Sequence, residues 1–214
     1  RDRLEDHALL LNASHTHCGP ELRPEKGRLY GIPEGQVKLI ERYVARLEKQ
    51  LLQLVSASHD ALAPAQLDYT HGRAGFAMNR RRPTDQGIQN QPYADGPVDH
   101  DVPVLRVTAA DGSLQALLFG YACHNTTLSF YQWCGDYAGF AALDLEDRHP
   151  QAVALFFTGC GADQNPLPRR HVRLAVKYGR MLSVAVEQVL ADEMKPVQGQ
   201  LKTAMKHIDL PFDR

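Results

Sequence analysis

Three short segments of this sequence concentrate side chains that can do chemistry. The first is Ser14-His15-Thr16-His17-Cys18-Gly19-Pro20. In an extended segment, residues two apart project to one side. His15 and His17 would then present two imidazoles together, a donor set suited to a divalent cation such as zinc. A pair of surface histidines at a strand end has the same spacing, and the residues by themselves leave both readings open. The second segment runs from Tyr121 to Thr127 and contains His124. A lone histidine after an apolar run is commonly a satisfied core residue. Beside His15 it becomes a ligand candidate, because metal ligands must converge in space rather than in sequence. The third is Thr158-Gly159-Cys160-Gly161-Ala162-Asp163-Gln164-Asn165-Pro166. Its glycines let the backbone approach a ligand closely, and exposed amides there could bind an oxyanion. A plain strand-to-helix turn is the alternative, and no Gly-Lys-Ser/Thr follows to make it a phosphate loop. Asn79-Arg80 adds a charged fork for a carbonyl or carboxylate. Cys160 lies in a turn before a helix, where a thiolate is stabilised. That supplies a rival chemistry, a cysteine nucleophile with His17 or His124 as its base.

Each of the three follows an apolar run that reads as a strand. His7–Asn12 and Ala152–Thr158 read as buried strands, and Leu114–Cys123 as a strand joined to Val102–Val107 through the hairpin signal Ala109-Ala110-Asp111-Gly112. The chemical segments therefore share the carboxyl ends of strands, the edge at which open α/β sheets bind ligands. Residues 20–33 read as a surface loop. Val37, Ile40, Val44, Leu47 and Leu51 recur at helical steps, so residues 34–58 form an amphipathic helix expected to cover a sheet. Leu67–Met78 reads as one strand with a glycine kink, and Asn79 to Gly96 as a long polar loop. Asp136–Asp147 and Arg170–Met194 read as helices and Leu201–Leu210 as a closing strand. The sequons Asn12-Ala13-Ser14 and Asn125-Thr126-Thr127 fall at strand ends read as buried, so neither is taken as a glycan site. The expected fold class is α/β, a mixed sheet flanked by amphipathic helices.

Composition narrows the function classes. The chain has 214 residues, 43% hydrophobic and 23% charged, which suits a globular domain rather than a disordered or fibrous one. Lys+Arg 24 against Asp+Glu 25 leaves a net charge of −1, without the basic excess of a nucleic-acid binder. No apolar run reaches the ~20 residues that span a bilayer. The four cysteines, 18, 123, 134 and 160, include no Cys-x-x-Cys pair. The opening Arg1-Asp2-Arg3 and the closing Pro211-Phe212-Asp213-Arg214 read as cut ends of a longer domain.

Taken in order, these segments resemble the N-terminal catalytic domain of the neutral/alkaline non-lysosomal ceramidase family. Ser14–Pro20 looks like the family's Thr-His-Thr-His-Ser-Gly-Pro, Asn79-Arg80 like its Asn-Arg-Ser, and Gly135-Asp136-Tyr137-Ala138-Gly139-Phe140 like its Gly-Asp-x-x-Gly-Tyr. The resemblance runs from about residue 8 to 168 and implies that residues 1–214 are part of a zinc-dependent hydrolase domain cleaving an N-acyl amide. It implies His15 and His124 as zinc ligands, His17 as a proton-transfer or oxyanion-stabilising group, and Asn79, Arg80 and Gly161 as substrate contacts. It also implies Asp163 and Asn165 as catalytic residues beside His17; they fall in the family's Asn-x-Gly-Asp-Val-Ser-Pro-Asn motif, with Asn165 where the family has serine. The remaining ligands, a Glu and a Tyr, would lie in the C-terminal remainder of the same chain. The implied partners are Zn2+ and a small-molecule or lipid amide, with peripheral membrane contact and an extracellular or periplasmic setting. The alternatives are the Cys160 hydrolase and a non-catalytic binding or structural module.

Overall fold

The computed structural model describes residues 5–211. In chain order it contains a 3-10 turn at Asp6–Ala8, then α1 (Pro24–Leu29), α2 (Glu34–Asp60), β1 (Ala65–Arg73), β2 (Ala77–Thr84), β3 (Gly87–Tyr93), β4 (Asp101–Ala109), β5 (Leu114–Tyr121), α3 (Asp136–Arg148), β6 (Val153–Thr158), β7 (Gln164–Pro166), α4 (Val172–Leu190) and β8 (Lys195–Pro196). The architecture is mixed α/β, with two sheets and four helices. The larger sheet has the order β6-β5-β4-β1-β8 and the smaller β3-β2-β7.

Local chemistry explains the central hairpin. Gly112 takes φ +87°, a left-handed turn conformation that glycine adopts without steric penalty. The Ser113 amide then donates to Asp111 Oδ1 at 2.9 Å, and β4 pairs antiparallel with β5. The β5–β6 pair is parallel, so the chain must cross over between them, and α3 is the crossover.

One face of the larger sheet carries the core. Val102 and Val104 of β4 and Leu117, Phe119 and Tyr121 of β5 pack with Tyr137, Ala141 and Leu145 of α3 and Tyr178, Leu182 and Val186 of α4. Each fully buried large apolar side chain contributes about 1.5–3 kcal/mol. A Cβ on Gly179 would lie 2.6 Å from Phe140 Cβ and 2.9 Å from the Tyr137 carbonyl, so glycine there lets α4 approach α3. The strands also carry exposed apolar residues, among them Leu67, Tyr69, Val153 and Leu155.

Several expectations need correction. The α2 helix forms as its periodicity predicts, but its packing partner is α1 rather than a sheet, and Val37 is its buried residue. Residues 20–33 contain α1. The His7–Asn12 run forms no strand, and Leu9, Leu10 and Leu11 are exposed. Here an asparagine replaces ladder pairing: the Thr158 amide donates to Asn12 Oδ1 at 2.9 Å, and Asn12 Nδ2 donates to the Thr158 carbonyl at 3.2 Å. The expected kinked strand is two strands in different sheets, broken at Ala74–Phe76. The expected long loop is the β2–β3 hairpin, turning at Gly87 with φ +93°. Apolar periodicity could not reveal this hairpin, because most of its residues are polar and exposed. Residues 201–210 are exposed and lie outside any strand; the edge is closed by β8 against Asp68 and Tyr69 of β1. Finally, β6 is half exposed because it is an edge strand.

Candidate functional site

The parallel pairing of β5 with β6 ends at Tyr121 opposite Thr158, so the segments 122–127 and 159–166 leave the sheet side by side. The second folds back as β7 and pairs with Ala77–Asn79 of β2. That pairing carries Arg80 to the same edge. The Arg80 amide donates to the Asp163 carbonyl at 2.8 Å, and the β2–β3 register breaks between Asn79 and Arg81. Bulges of this kind re-aim side chains and are common beside active sites.

His124 is fixed at both its backbone and its ring. Its amide donates to the Gln164 carbonyl at 3.0 Å, and Nδ1 lies 2.7 Å from the Gly161 carbonyl. A carbonyl only accepts, so Nδ1 carries the proton and Nε2 the lone pair. Arg80 Nη2 stands 3.0 Å from that Nε2.

His15 joins His124 and His17. The ring centroids of His15 and His124 are 4.9 Å apart and nearly perpendicular, and those of His15 and His17 are 5.0 Å apart. The Nε2 atoms of His15 and His17 lie 3.3 Å apart. The pair meets through a turn rather than the extended segment expected: His15 has φ +60°, in the left-handed region. Thr16 anchors that turn, its hydroxyl donating to the Cys134 carbonyl at 2.9 Å and accepting from the Cys18 amide at 3.2 Å.

Electrostatics favours neutral imidazoles. Partial burial lowers the His17 pKa, helped by His15, Arg170, Arg169 and Arg80. Burial also lowers that of His124, against the raising effect of the Gly161 bond, and Arg80 and His15 act in the same direction as burial. Neutral imidazole is the form that ligates a metal. Among the described residues, no group of three or more His, Cys, Asp and Glu side chains is arranged to hold a metal ion.

The remaining expected residues divide. Asn165 is buried, and its Oδ1 accepts from Arg80 Nη1 at 3.4 Å. Asp163 Oδ2 accepts from Asn79 Nδ2 at 3.4 Å, so both residues brace the arginine segment. Asn79 and Gly161, expected as substrate contacts, are also engaged within the protein. Asn79 is 2% exposed, its Nδ2 donating to the Pro97 carbonyl and its Oδ1 accepting from the Arg81 amide. The Gly161 amide is taken by the Gly159 carbonyl, and its own carbonyl orients His124. A Cβ on Gly161 would lie 2.4 Å from the Cys123 amide nitrogen, so close packing against the β5 exit requires glycine there. The Cys160 thiol is exposed, while the imidazoles that would serve as its base contact His15 and Arg80. Asn125 is fully buried and bonded to Gly135 and Ala138, as its dismissal as a glycan site expects, whereas Asn12 is exposed.

Two site arginines escaped the sequence reading. The Arg170 amide donates to the Thr127 carbonyl at 2.6 Å, and Arg169 Nη1 donates to Thr126 Oγ1 at 3.4 Å. Both are pinned to the segment that carries His124. The adjacent arginines after the glycine-rich turn were the available signal.

Solved structures share this fold. Neutral ceramidase from Pseudomonas aeruginosa superposes with a TM-score of 0.62 at 19% identity, over 75% of this chain and 28% of that one. A ceramidase complexed with C2 superposes with a TM-score of 0.52 at 20% identity, over 64% of this chain and 24% of that one. The chain thus spans about a quarter of the length of the ceramidases it matches. No protein-family model and no curated protein sequence matches it. The ceramidase-like fold therefore rests on three-dimensional similarity.

Proposed function

We propose that this chain supplies the histidine side of a zinc-dependent amidohydrolase centre of the ceramidase kind. The reaction is hydrolysis of a linear N-acyl amide, ceramide or another. The observation that carries this reading is the meeting of His15, His17 and His124 at the edge where β5 and β6 end.

His15 and His124 would hold the metal, with a Glu and a Tyr from the C-terminal part of the same protein completing four-coordination. The Nδ1 contact of His124 with Gly161 is the outer-shell bond that typically orients a metal-ligating histidine. Zinc, when bound, brings the pKa of a water to about 7 and polarises the amide carbonyl. His17 accepts the proton of the attacking water and returns it to the departing nitrogen. Water oxygen joins the acyl carbon, the C–N bond breaks, and the products are a carboxylate and a protonated amine. Arg80 directs its N–H groups at the substrate's polar head and the developing oxyanion, while Asp163 and Asn165 position it. Its Nη2 stands 3.0 Å from His124 Nε2, the atom through which His124 would hold the metal. A lipid amide would bring the protein into peripheral contact with a membrane surface, and an extracellular or periplasmic setting accompanies this reading. Among the described residues, no helix is long and apolar enough to cross a membrane.

Elemental analysis of the full-length protein tests the proposal. Near-stoichiometric zinc is expected, lost in His15→Ala and in His124→Ala, together with hydrolysis across a panel of N-acyl amides. Unchanged metal content in both variants would overturn it.

A further inference from the structure

Four arginines, Arg80, Arg81, Arg169 and Arg170, gather at this sheet edge, and the histidine chemistry uses one of them. Arg80 and Arg81 converge on the Ala162 carbonyl, with Arg80 Nη2 at 2.9 Å and Arg81 Nη2 at 3.3 Å. Arg169 and Arg170 are tied to Thr126 and Thr127, two and three residues past His124. Among the described residues, the arginines in ion pairs are Arg23, Arg28, Arg106, Arg148 and Arg180, none from this cluster. The carboxylate of Asp163 turns to Asn79. Partial burial depresses the pKa of both Arg80 and Arg169, and neighbouring arginines add to it, with Asp163 opposing the effect at Arg80.

The backbone adds to the same field. The α4 helix starts two residues after Arg170, with no acidic residue in its first turn and no side-chain cap. Ala175 in that turn packs in one cluster with Cys18, the neighbour of His17. The positive end of the helix dipole therefore lies beside His17. A cleft of about 410 Å³ also borders His17, and Phe130, Tyr131 and Trp133 line it. His17 thus belongs both to an aromatic cleft and to the neighbourhood of unpaired arginines.

We propose that the substrate is an anionic amide, whose acyl chain lies in the aromatic cleft and whose amine half carries a carboxylate or phosphate held by Arg169 and Arg170. The proposal rests on the amidohydrolase reading above and narrows its substrate class. Guanidinium groups match the geometry of both oxyanions and bind them bidentately. A neutral head group would leave these charges unanswered.

Trp133 lines the cleft, so the part of the fluorescence change that is lost in Trp133→Phe reports binding there without turnover. The full-length protein is titrated with N-lauroylglycine, N-lauroyl-O-phosphoethanolamine and the neutral N-lauroylethanolamine, below their micellar concentrations. At least one anionic ligand should bind roughly 10-fold or more tightly than the neutral one, as charge-assisted hydrogen bonds predict. That preference should fall with added salt and collapse toward unity in Arg169→Gln/Arg170→Gln. The stronger anion identifies carboxylate or phosphate as the source. Equal affinity for all three ligands, or a preference that survives the double substitution, would overturn the proposal. Hydrolysis of N-lauroylethanolamine without anion preference would sink this inference and leave the amidohydrolase reading standing. Anion preference without zinc or hydrolysis would do the reverse.

Discussion

Replacing Gly161 by alanine should damage fold and site together. The new Cβ would lie 2.4 Å from the Cys123 nitrogen, 2.6 Å from the Ala122 carbonyl carbon and 2.7 Å from Cys123 Cα. All three are backbone atoms, so no side chain can rotate away. Carbon contacts settle at about 3.5–4.0 Å, and the Gly161 segment must therefore retreat by about 1 Å. The Gly161 carbonyl accepts from His124 Nδ1 at 2.7 Å, and the same retreat would carry it past hydrogen-bonding range. Overpacking costs about 1–3 kcal/mol, and the lost hydrogen bond about 0.5–1.5 kcal/mol. Together these give roughly 1.5–4.5 kcal/mol, or a fall in Tm of about 3–18 °C for a chain of this length. On the zinc reading proposed above, the His124 ring, freed of its anchor, should bind zinc about 10–100-fold more weakly. Thermal unfolding monitored by circular dichroism and zinc titration against a chelator measure the two effects. A Gly161→Ala protein with parental Tm and parental zinc affinity would refute both the packing argument and the assigned role of Gly161.

Two further outcomes follow from the core. Burial raises the pKa values of Cys123, Tyr121 and Tyr137 above their usual values of 9.0, 10.0 and 10.0. In the unfolded chain these groups ionise at their usual values, so the stability they confer is whole below about pH 9 and declines as pH rises further. Tm measured from pH 7 to 10.5 should fall, and Cys123→Ala should flatten the part between pH 8 and 10; an identical slope in that variant contradicts the assignment. Leu182, fully buried between α4 and the sheet, should lose about 2–5 kcal/mol on Leu182→Ala, read from the urea midpoint at unchanged slope.

What was legible in the sequence follows its physics. The 3.6-residue apolar period of α4 and the Asp-Gly turn between β4 and β5 are local signals, and both elements form where those signals stand. The polar β2–β3 hairpin carried no such period, so it read as loop. The leucines at 9–11 and the face of α2 had the composition of buried elements, but burial depends on a partner surface, and composition does not contain one. In the same way, the three clusters announced themselves by residue type, while the internal hydrogen bonds of Gly161 in the third cluster and of Asn79 outside all three did not: only neighbours show that an amide is already taken.

By itself, the sequence determined the α/β class, the main helices, the central strands and the chemical character of the three segments, because side-chain type and short-range periodicity act within a few residues. Tertiary structure decided that His15, His17 and His124 share one edge, that β7 pairing delivers Arg80 there, and that Arg169 and Arg170 flank it. Those placements depend on which strands pair and in which register. Contacts between residues far apart in the chain set that register, and no local pattern encodes them.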